Sequence, residues 1–330
     1  MILVSRAFAD QYAEQLAAAA PGVGLVRIGP DGIDGALASV RASFMAVDLF
    51  PDHWKPLEAA LLDSPDLEWL QSPGSGMDLP LFQRLHERGV VLTNAPDAAG
   101  PAIAQTAIMF MLMLSRGAPR FAEDQRARHW DTKRREFEDL AGARLTVLGL
   151  GGIGSEIARL ATELGMRVVG VRRKRLGDEP CETWESERLT EALERADWLA
   201  VALPLREESV HILDRRALER LPSGARIVNV GRGELIDEAA MIEALQAGHL
   251  AGAGLDVFET EPLPAESPLW EMPNVIITPH CAGATPSAGP RAARVFLDNL
   301  ARWHRGEPLH NRVVPPTLQV PERLDDLAGN

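Results

Sequence analysis

Residues 144–154 read Arg144-Leu145-Thr146-Val147-Leu148-Gly149-Leu150-Gly151-Gly152-Ile153-Gly154. The apolar first half of this segment ends abruptly in glycines. The residues that follow, 155–161, place apolar side chains at the spacing of a helix. The pattern therefore predicts a strand, a glycine turn and a helix, in that order.

The glycines of this turn have the spacing G-x-G-x-x-G. Gly149 permits a tight turn, Gly151 lets a pyrophosphate approach the backbone, and Gly154 lets the helix pack close to the strand. The N–H groups at the start of the helix then face the anion. We predict a dinucleotide site formed by these three residues with Gly152 and Ile153. An ordinary glycine-rich turn between a strand and a helix is the alternative.

Length, net charge and cysteine count limit the kinds of protein that this chain can be. The chain has 330 residues, 46% of them hydrophobic, which is enough for a buried core and suggests two domains. The net charge of −13 argues against a surface that tracks phosphates, so we expect no nucleic-acid partner. Cys181 and Cys281 are too few for a disulfide framework, which favours a reducing cytoplasm.

The N-terminal residues lack a basic segment followed by a long apolar run, so we expect no signal peptide. The most apolar run, 107–114, is shorter than the roughly 20 residues that span a bilayer, so we expect no membrane partner. We assign no metal ligands.

The first hundred or so residues alternate strands with helices, which predicts an α/β domain with a parallel sheet covered on both faces. We predict strands at 2–4, 23–28, 44–47, 68–71 and 90–93, and helices at 10–20, 53–62 and 79–87. Residues 96–101 are predicted to form a loop. The apolar helix predicted at 102–116 is either a core helix or an interface helix.

A second α/β domain follows. After the glycine turn we predict strands at 167–171, 197–203, 226–230, 251–256 and 275–278. The helix predicted at 291–305 and the tail after it come when this domain is already complete, so we expect them to return to the first domain. The predicted division is 1–98 with 284–330 for the first domain and 99–283 for the dinucleotide domain.

Three of these strands end in polar residues: Arg232, the segment 256–261, and His280. In a parallel sheet all three lie on the crevice beside the cofactor. An arginine binds a carboxylate through its planar fork, and a protonated histidine donates a proton to a forming alkoxide. A carboxylate beside the histidine favours the imidazolium. The set suits hydride transfer to a 2-keto acid.

Each of these residues also has an ordinary structural interpretation. A histidine near a strand end is often structural, Arg232 could pair with an acid, and Glu259 and Glu261 could be solvated. Residues 72–76, Ser-Pro-Gly-Ser-Gly, could form an anion-binding nest, but their composition alone favours a surface turn.

Taken together, four motifs resemble the D-isomer-specific 2-hydroxyacid dehydrogenases, including the glyoxylate/hydroxypyruvate reductases. In chain order they are Gly149-Leu150-Gly151-Gly152-Ile153-Gly154, Asn229-Val230-Gly231-Arg232-Gly233-Glu234-Leu235-Ile236-Asp237, Leu255-Asp256-Val257-Phe258-Glu259-Thr260-Glu261-Pro262-Leu263-Pro264 and Asn274-Val275-Ile276-Ile277-Thr278-Pro279-His280.

The resemblance implies a role for each matching residue. Arg232 matches the substrate arginine, Glu261 the acid paired with the histidine, and His280 the acid/base. Asp256 matches an aspartate near the nicotinamide carboxamide. Residues 69–78 resemble the loop whose backbone amides hold the substrate carboxylate, which assigns Ser75 and Gly76 to substrate binding and reverses the preference for a plain turn.

The resemblance also implies a Rossmann coenzyme domain inserted into a flavodoxin-like substrate domain, with the active cleft between them and a homodimer through the coenzyme domain. The implied reaction is NAD(P)H-dependent reduction of a small 2-keto acid to a D-2-hydroxy acid, and its reverse. The alternative is a non-enzymatic dinucleotide-sensing scaffold similar to the corepressors related to this family.

The turn after the second strand of the dinucleotide unit predicts the cofactor. An acid at this position bonds the ribose hydroxyls of NAD, but here the strand ends in Arg172-Arg173-Lys174-Arg175 and the next acid is Asp178. Guanidinium groups bind a 2′-phosphate. We predict NADP(H), carried by Arg172 and Arg173, with NAD(H) possible and a basic surface turn as the alternative. Pro204, Val230 and Asp256 are also assigned to the cofactor.

Overall fold

The computed structural model describes residues 1–50, 53–132 and 137–316. Backbone contacts divide the chain into two compact units. The first contains Met1–Ala99 and the segment that begins at Thr285, and the second contains Gly100–Ala284. The second unit therefore interrupts the first in the chain. The predicted assignment of residues 317–330 to the first domain lies outside the described residues.

Strands and helices alternate along most of the chain. The strands are β1 Ile2–Ser5, β2 Leu25–Gly29, β3 Gly32–Asp34, β4 Ala42–Phe44, β5 Trp69–Gln71, β6 Val91–Thr93, β7 Arg144–Leu148, β8 Arg167–Arg172, β9 Glu182–Glu185, β10 Trp198–Val201, β11 Ala225–Asn229, β12 Leu250–Leu255, β13 Val275–Ile277 and β14 Arg312–Val313. The helices are α1 Arg6–Gln11, α2 Ala13–Ala19, α3 Trp54–Leu62, α4 Pro80–Glu87, α5 Pro96–Ser115, α6 Ala118–Ala127, α7 Gly152–Glu163, α8 Leu189–Glu194, α9 Arg215–Arg220, α10 Glu238–Gln246 and α11 Ala288–His304.

The first unit is built on a sheet of order β14-β6-β5-β4-β1-β2-β3. Its five parallel strands β2, β1, β4, β5 and β6 follow the flavodoxin order 2-1-3-4-5. Leu3 packs into one core cluster while Ile2 and Val4 pack into another, so both faces of β1 are buried. β14 pairs antiparallel with β6, which brings residues 312–313 onto this sheet.

The second unit is built on the parallel sheet β13-β12-β11-β10-β7-β8-β9. Numbered from β7, this is the dinucleotide order 3-2-1-4-5-6 with β13 added at one edge. The order reverses between β7 and β10, which is the point where such sheets bind ligands. The predicted fold class, a Rossmann unit inserted into a flavodoxin-like unit, is confirmed.

The loop predicted at 96–101 was wrong, because α5 begins at Pro96 and runs through Pro101 to Ser115. A proline costs nothing in the first turn of a helix, where its missing N–H would have had no partner. Pro101 does remove one hydrogen bond. Burial of the apolar residues around it, among them Ala98 and Ala104, outweighs that loss.

With this early start α5 is 20 residues long, and by length and composition alone it could cross a membrane. The length of the run 107–114 therefore does not settle the question. Packing is the better guide: Ala104, Ala107, Phe110 and Met111 are buried in the core cluster of the second unit. A core helix of this kind passes the same composition test.

The helix predicted at 10–20 is divided in two. α1 already begins at Arg6, because the Ser5 hydroxyl accepts a hydrogen bond from the N–H of Phe8 at 3.0 Å and caps the helix. The backbone leaves helical geometry at Tyr12, and α2 follows.

Candidate active site

The glycine turn after β7 has the geometry that its spacing predicts. Gly149 has φ +98°, a conformation that other residues rarely adopt. A Cβ on Gly154 would lie 1.7 Å from the carbonyl oxygen of Gly149, so α7 can approach the strand only without it. A Cβ on Gly151 would meet nothing within 4 Å. The backbone is therefore open at the one glycine where a pyrophosphate should approach.

Two glutamates lie beside the first two arginines of the basic turn after β8. Arg172 Nη1 lies 3.4 Å from Glu179 Oε1, and Arg173 Nη1 lies 3.6 Å from Glu208 Oε1. The Glu179 carboxylate also accepts the N–H groups of Leu176 and Gly177. The Leu176 N–H is the main cause of a lowered pKa for Glu179, with smaller contributions from Gly177 and Arg172. Glu179 thus folds the turn back onto its first arginine.

Three loops with polar side chains follow the neighbouring parallel strands β11, β12 and β13. Arg232 follows β11, Glu261 lies in the loop after β12, and His280 follows β13. His280 Nδ1 lies 2.7 Å from Glu261 Oε2. The charge of Arg232 also acts on the Glu261 carboxyl. The structure therefore brings the three side chains together at one edge of the sheet.

His280 is held in an unusual backbone conformation. Its φ is +48°, and its N–H donates to the carbonyl oxygen of Asp256 at 2.8 Å. Residues in this region of φ are uncommon and often mark functional positions. The strained backbone points to a requirement on the direction of the imidazole.

Glu261 is held from both sides. Its Oε1 accepts the N–H of Phe258 at 3.0 Å while its Oε2 meets His280. Burial raises the pKa of the Glu261 carboxyl, but the hydrogen bond and charge of His280, together with the Phe258 N–H and the charge of Arg232, leave that pKa below its ordinary value. The stabilisation is thus present above the carboxyl's unfolded pKa and is lost as the pH falls through the lowered folded pKa.

The turn that carries Arg232 is fixed by a buried asparagine. The N–H of Gly231 donates to Asn229 Oδ1 at 3.0 Å, and Asn229 Nδ2 donates to the carbonyl oxygen of Arg232 at 2.9 Å. Arg232 Nη1 donates to the carbonyl oxygen of Gly231 at 2.7 Å. This last bond holds the guanidinium close to its own turn, and Arg232 is half-buried.

Asp256 anchors the loop that carries His280. Its Oδ1 accepts the Thr278 hydroxyl at 2.5 Å and the N–H of Cys281 at 2.9 Å, and its Oδ2 accepts the N–H of Ala282 at 3.0 Å. The side chain is 2% exposed. Its contact with the cofactor stays a prediction. The other two residues assigned to the cofactor are Pro204, which follows β10, the neighbour of β7, and Val230, which follows β11, the next strand beyond β10.

In the first unit, the loop after β5 is fixed through its carbonyl oxygens. Those of Ser72, Gly74 and Ser75 accept from Gln71 Nε2, the Ala95 N–H and Asn94 Nδ2 respectively. Among the hydrogen bonds of the described residues, none uses the N–H of Ser75 or Gly76. Binding of the substrate carboxylate by these two groups stays a prediction.

The anchoring residues are those that sequence reasoning missed. Asn229, Glu179 and Glu238 were not assigned a role, and Glu259 was considered only as a solvated acid. Asn229 precedes a glycine turn, which is a usable signal, because asparagine often bonds backbone two residues on. No local signal marks the others. Among residues 1–50, 53–132 and 137–316, no group of three His, Cys, Asp or Glu side chains could hold a metal ion.

Comparison with known proteins identifies the family. The profile described as D-isomer specific 2-hydroxyacid dehydrogenase, NAD binding domain, matches residues 108–282. A glyoxylate reductase of Korarchaeum cryptofilum is 32% identical over 80% of this chain and 79% of its own length. The chain belongs to the D-isomer specific 2-hydroxyacid dehydrogenase family. The resemblance drawn from the four motifs is confirmed.

Other members of the family extend the comparison. A D-3-phosphoglycerate dehydrogenase of Methanocaldococcus jannaschii is 34% identical over 74% of this chain, but the chain spans only about half, 47%, of that protein. Among solved structures, a 2-hydroxyacid dehydrogenase of Xanthobacter autotrophicus in complex with NADPH and MES has a TM-score of 0.79 and 32% identity, and the match covers 95% and 98% of the two chains.

A second solved member of the 2-hydroxyacid dehydrogenase family is an NADPH-dependent glyoxylate/hydroxypyruvate reductase of Sinorhizobium meliloti in complex with NADP and sulfate. It has a TM-score of 0.77 and 27% identity, with 94% and 97% of the two chains covered. The named relatives are thus dehydrogenases and reductases.

Proposed function

We propose that the protein reduces a small 2-keto acid to a D-2-hydroxy acid and catalyses the reverse reaction. The observation that carries this proposal is the hydrogen bond between His280 Nδ1 and Glu261 Oε2 beside the charge of Arg232. An enzyme needs these three groups together, whereas a dinucleotide-sensing scaffold does not.

The chemistry follows from what each group can donate. Arg232 binds the substrate carboxylate and polarises the neighbouring ketone. Glu261 occupies Nδ1 of His280, which leaves Nε2 to give its proton to the forming alkoxide. A dihydronicotinamide, when bound, would supply the hydride. The ketone gains one hydride and one proton, and the neutral imidazole is protonated again from solvent.

The substrate carboxylate has a second source of donors in the N–H groups of Ser75 and Gly76. Peptide N–H groups presented together by a turn bind anions well. We propose that they hold the carboxylate while Arg232 acts on the ketone. Small 2-oxo acids are the proposed substrate class, with hydroxypyruvate giving a D-2-hydroxy acid and glyoxylate, an aldehyde, giving achiral glycolate, in keeping with the named activity of two of the relatives.

We propose NADP(H) as the preferred cofactor and NAD(H) as a weaker alternative. The open backbone at Gly151 suits a pyrophosphate, and Arg172 and Arg173 suit a 2′-phosphate. Two relatives were solved with NADPH or NADP. The preference is tested by Kd values for NADPH and NADH in Arg172→Asp, with Arg167→Asp, an exposed arginine at the other end of β8, as the matched control.

Assembly as a homodimer through the second unit is part of the proposal. Exposed apolar side chains of this unit support it: Met109 and Leu112 on α5, Phe121 on α6, and Trp130 with 87% exposure. Light scattering in solution measures the mass of the assembly. A monomer at micromolar concentration would contradict this part of the proposal.

The activity is tested by NADPH oxidation with glyoxylate, hydroxypyruvate and phenylpyruvate as separate substrates. His280→Gln should lower kcat by about 10²–10⁴-fold while NADPH affinity stays the same, because general acid catalysis contributes that much. His304→Gln, an exposed histidine at the end of α11, is the matched control. Activity of His280→Gln within about threefold of wild type would remove His280 from the proton transfer.

A further inference from the structure

The loop that carries Arg232 and the loop that carries Glu261 lie against each other, backbone to backbone. A Cβ on Gly233 would lie 1.8 Å from the carbonyl carbon of Phe258 and 2.3 Å from the nitrogen of Glu259. The two loops follow the neighbouring strands β11 and β12. Their contact sets the distance between the substrate arginine and the acid of the histidine pair.

Two glutamates tie these loops together in both directions. The N–H of Glu238 donates to Glu259 Oε1 at 3.1 Å, and the N–H of Glu259 donates to Glu238 Oε2 at 3.2 Å. Glu238 is the first residue of α10, so its N–H is one that the helix itself cannot satisfy. Each carboxylate therefore serves the backbone of the other loop.

A histidine adds a third loop. His211 Nε2 lies 2.7 Å from Glu259 Oε1, and the N–H of His211 donates to the carbonyl oxygen of Glu234 at 2.7 Å. His211 lies in the segment after β10, the segment that begins beside the glycine turn, and its φ is +48°. Glu259 is thus the meeting point of the loops that follow β10, β11 and β12.

We propose that Glu238, Glu259 and His211 form a clamp that positions Glu261 against His280 and Arg232. The clamp touches no reacting atom in the proposed reaction, and it acts through Glu261, two residues beyond Glu259. The inference rests on the proposed function for its kinetic test, and it has a second test that needs no activity.

Hydrogen-bond acceptance, rather than negative charge, carries the role of Glu238. Burial raises the pKa of its carboxyl, and the charges of Glu259 and Glu261 raise it further. A glutamine keeps an acceptor oxygen for the Glu259 N–H and removes the charge. An alanine removes both, so the two substitutions separate the two explanations.

The kinetic test compares Glu238→Ala, Glu259→Ala and the matching glutamine variants. Each alanine should lower kcat and raise KM for the keto acid, with kcat/KM falling roughly tenfold, as expected for one or two lost hydrogen bonds. Glu238→Gln should stay within about threefold of wild type, and NADPH affinity should stay the same in all. The matched control is Glu243→Ala. Glu243 is an exposed glutamate on α10, the helix of Glu238, and it pairs with Arg215 on α9.

A double mutant tests whether Glu259 acts through Glu261. In the Glu261→Gln background the Glu259→Ala substitution should have little further effect, because the residue it positions is already impaired. Effects that multiply would overturn the proposal. If Glu259→Ala fails to fold, Glu238→Ala replaces it in the Glu261→Gln background, with the same expected result.

The activity-independent test uses protein labelled with ¹⁵N in its eight histidines. The ring resonances of His280, assigned by their loss in His280→Gln, should move in Glu259→Ala and Glu238→Ala and stay in place in Glu243→Ala. Unmoved His280 resonances in folded alanine variants would overturn the clamp. Absence of keto-acid turnover in the wild type would contradict the proposed function and leave this measurement decisive.

Discussion

The loop after β7 and the loops after β11, β12 and β13 lie at the same edge of one sheet, but they depend on side chains to different degrees. The first depends on side chains that are missing: Gly149 turns the chain, and Gly154 lets α7 approach. The others depend on side chains that bond backbone, such as Asn229 and Asp256. The end with the proposed cofactor turn is shaped by exclusion, and the end with the proposed catalytic residues is shaped mainly by hydrogen bonds, with a close backbone approach at Gly233.

This difference has consequences for what each end tolerates. A turn shaped by exclusion fails when a single atom is added, and no neighbour can compensate for it. A loop held by several hydrogen bonds should fail gradually, since each bond contributes about 0.5–1.5 kcal/mol, or about 1.5–3 kcal/mol when one partner is charged. Substitutions at the two ends should therefore differ in size and in kind.

Gly154→Ala should have the largest effect. Alanine is the better helix former by about 1 kcal/mol, but its Cβ would lie 1.7 Å from the Gly149 carbonyl oxygen. We expect the free energy of unfolding to fall by more than about 3 kcal/mol, the upper end of ordinary overpacking. Urea unfolding measures it.

Gly151→Ala is the matched control at the same turn. Its Cβ would meet nothing within 4 Å, and its φ of −84° suits any residue. Because Gly151 is the N-cap of α7, where alanine is disfavoured, the free energy of unfolding should fall by no more than about 1 kcal/mol, while NADPH affinity falls because the new methyl group occupies the approach of the pyrophosphate. Equal loss of stability in the two variants would contradict the role of exclusion.

Asp256→Asn should have an intermediate effect. The buried carboxylate accepts from Thr278, Cys281 and Ala282, and an amide nitrogen in place of one oxygen faces a donor instead. We expect a loss of about 1.5–3 kcal/mol in the free energy of unfolding, together with a lower kcat, because the loop carries His280.

The same variant tests the predicted cofactor contact of Asp256. If the carboxylate chiefly bonds the nicotinamide carboxamide, the Kd for NADPH should rise while the thermal midpoint stays unchanged. If it chiefly anchors the loop, the midpoint should fall and the Kd should change little. Differential scanning calorimetry and calorimetric titration separate the two outcomes.

Glu238→Gln should have the smallest effect, and one of opposite sign. Because the folded pKa of Glu238 is raised, its ionised form is disfavoured in the folded state. The resulting destabilisation is absent below the unfolded pKa and complete above the folded pKa. The variant should therefore gain up to about 1 kcal/mol at pH 8 and nothing at pH 4. Urea unfolding at pH 8 and pH 4 measures the free energy of unfolding, and a lower stability of the variant at pH 8 would contradict the prediction.

Much of the fold could be predicted because its signals are local. The glycine turn, the alternation of strands with helices and the order of the strand ends are all written in short segments. The start of α5 was missed because Pro96 and Pro101 normally mark a loop, and burial of the residues around them decides otherwise. The short strand β9 was missed because it is stabilised by pairing with β8, which depends on how the turn between the two strands folds.

The site shows the same limit. The meeting of Arg232, the segment 256–261 and His280 could be predicted, since each follows a strand and the carboxyl ends of parallel strands meet. The choice of Glu261 within that segment depended on the resemblance. Glu179 and Glu208 could not be placed beside Arg172 and Arg173, because those contacts depend on how the turn folds back. The pairing of Glu238 with Glu259, 21 residues apart, depends in the same way on two loops meeting.

The discontinuous first unit has a consequence for synthesis on the ribosome. Gln71 lies next to the loop that carries Ser75 and Gly76, and its Oε1 accepts from Asn299 Nδ2 at 3.0 Å, 228 residues later. The second unit is a continuous segment and can fold as it emerges, but the first unit must wait for α11. We expect a chain truncated before residue 285 and released from the ribosome to bind NADPH while the loop that carries Ser75 and Gly76 still lacks an anchor.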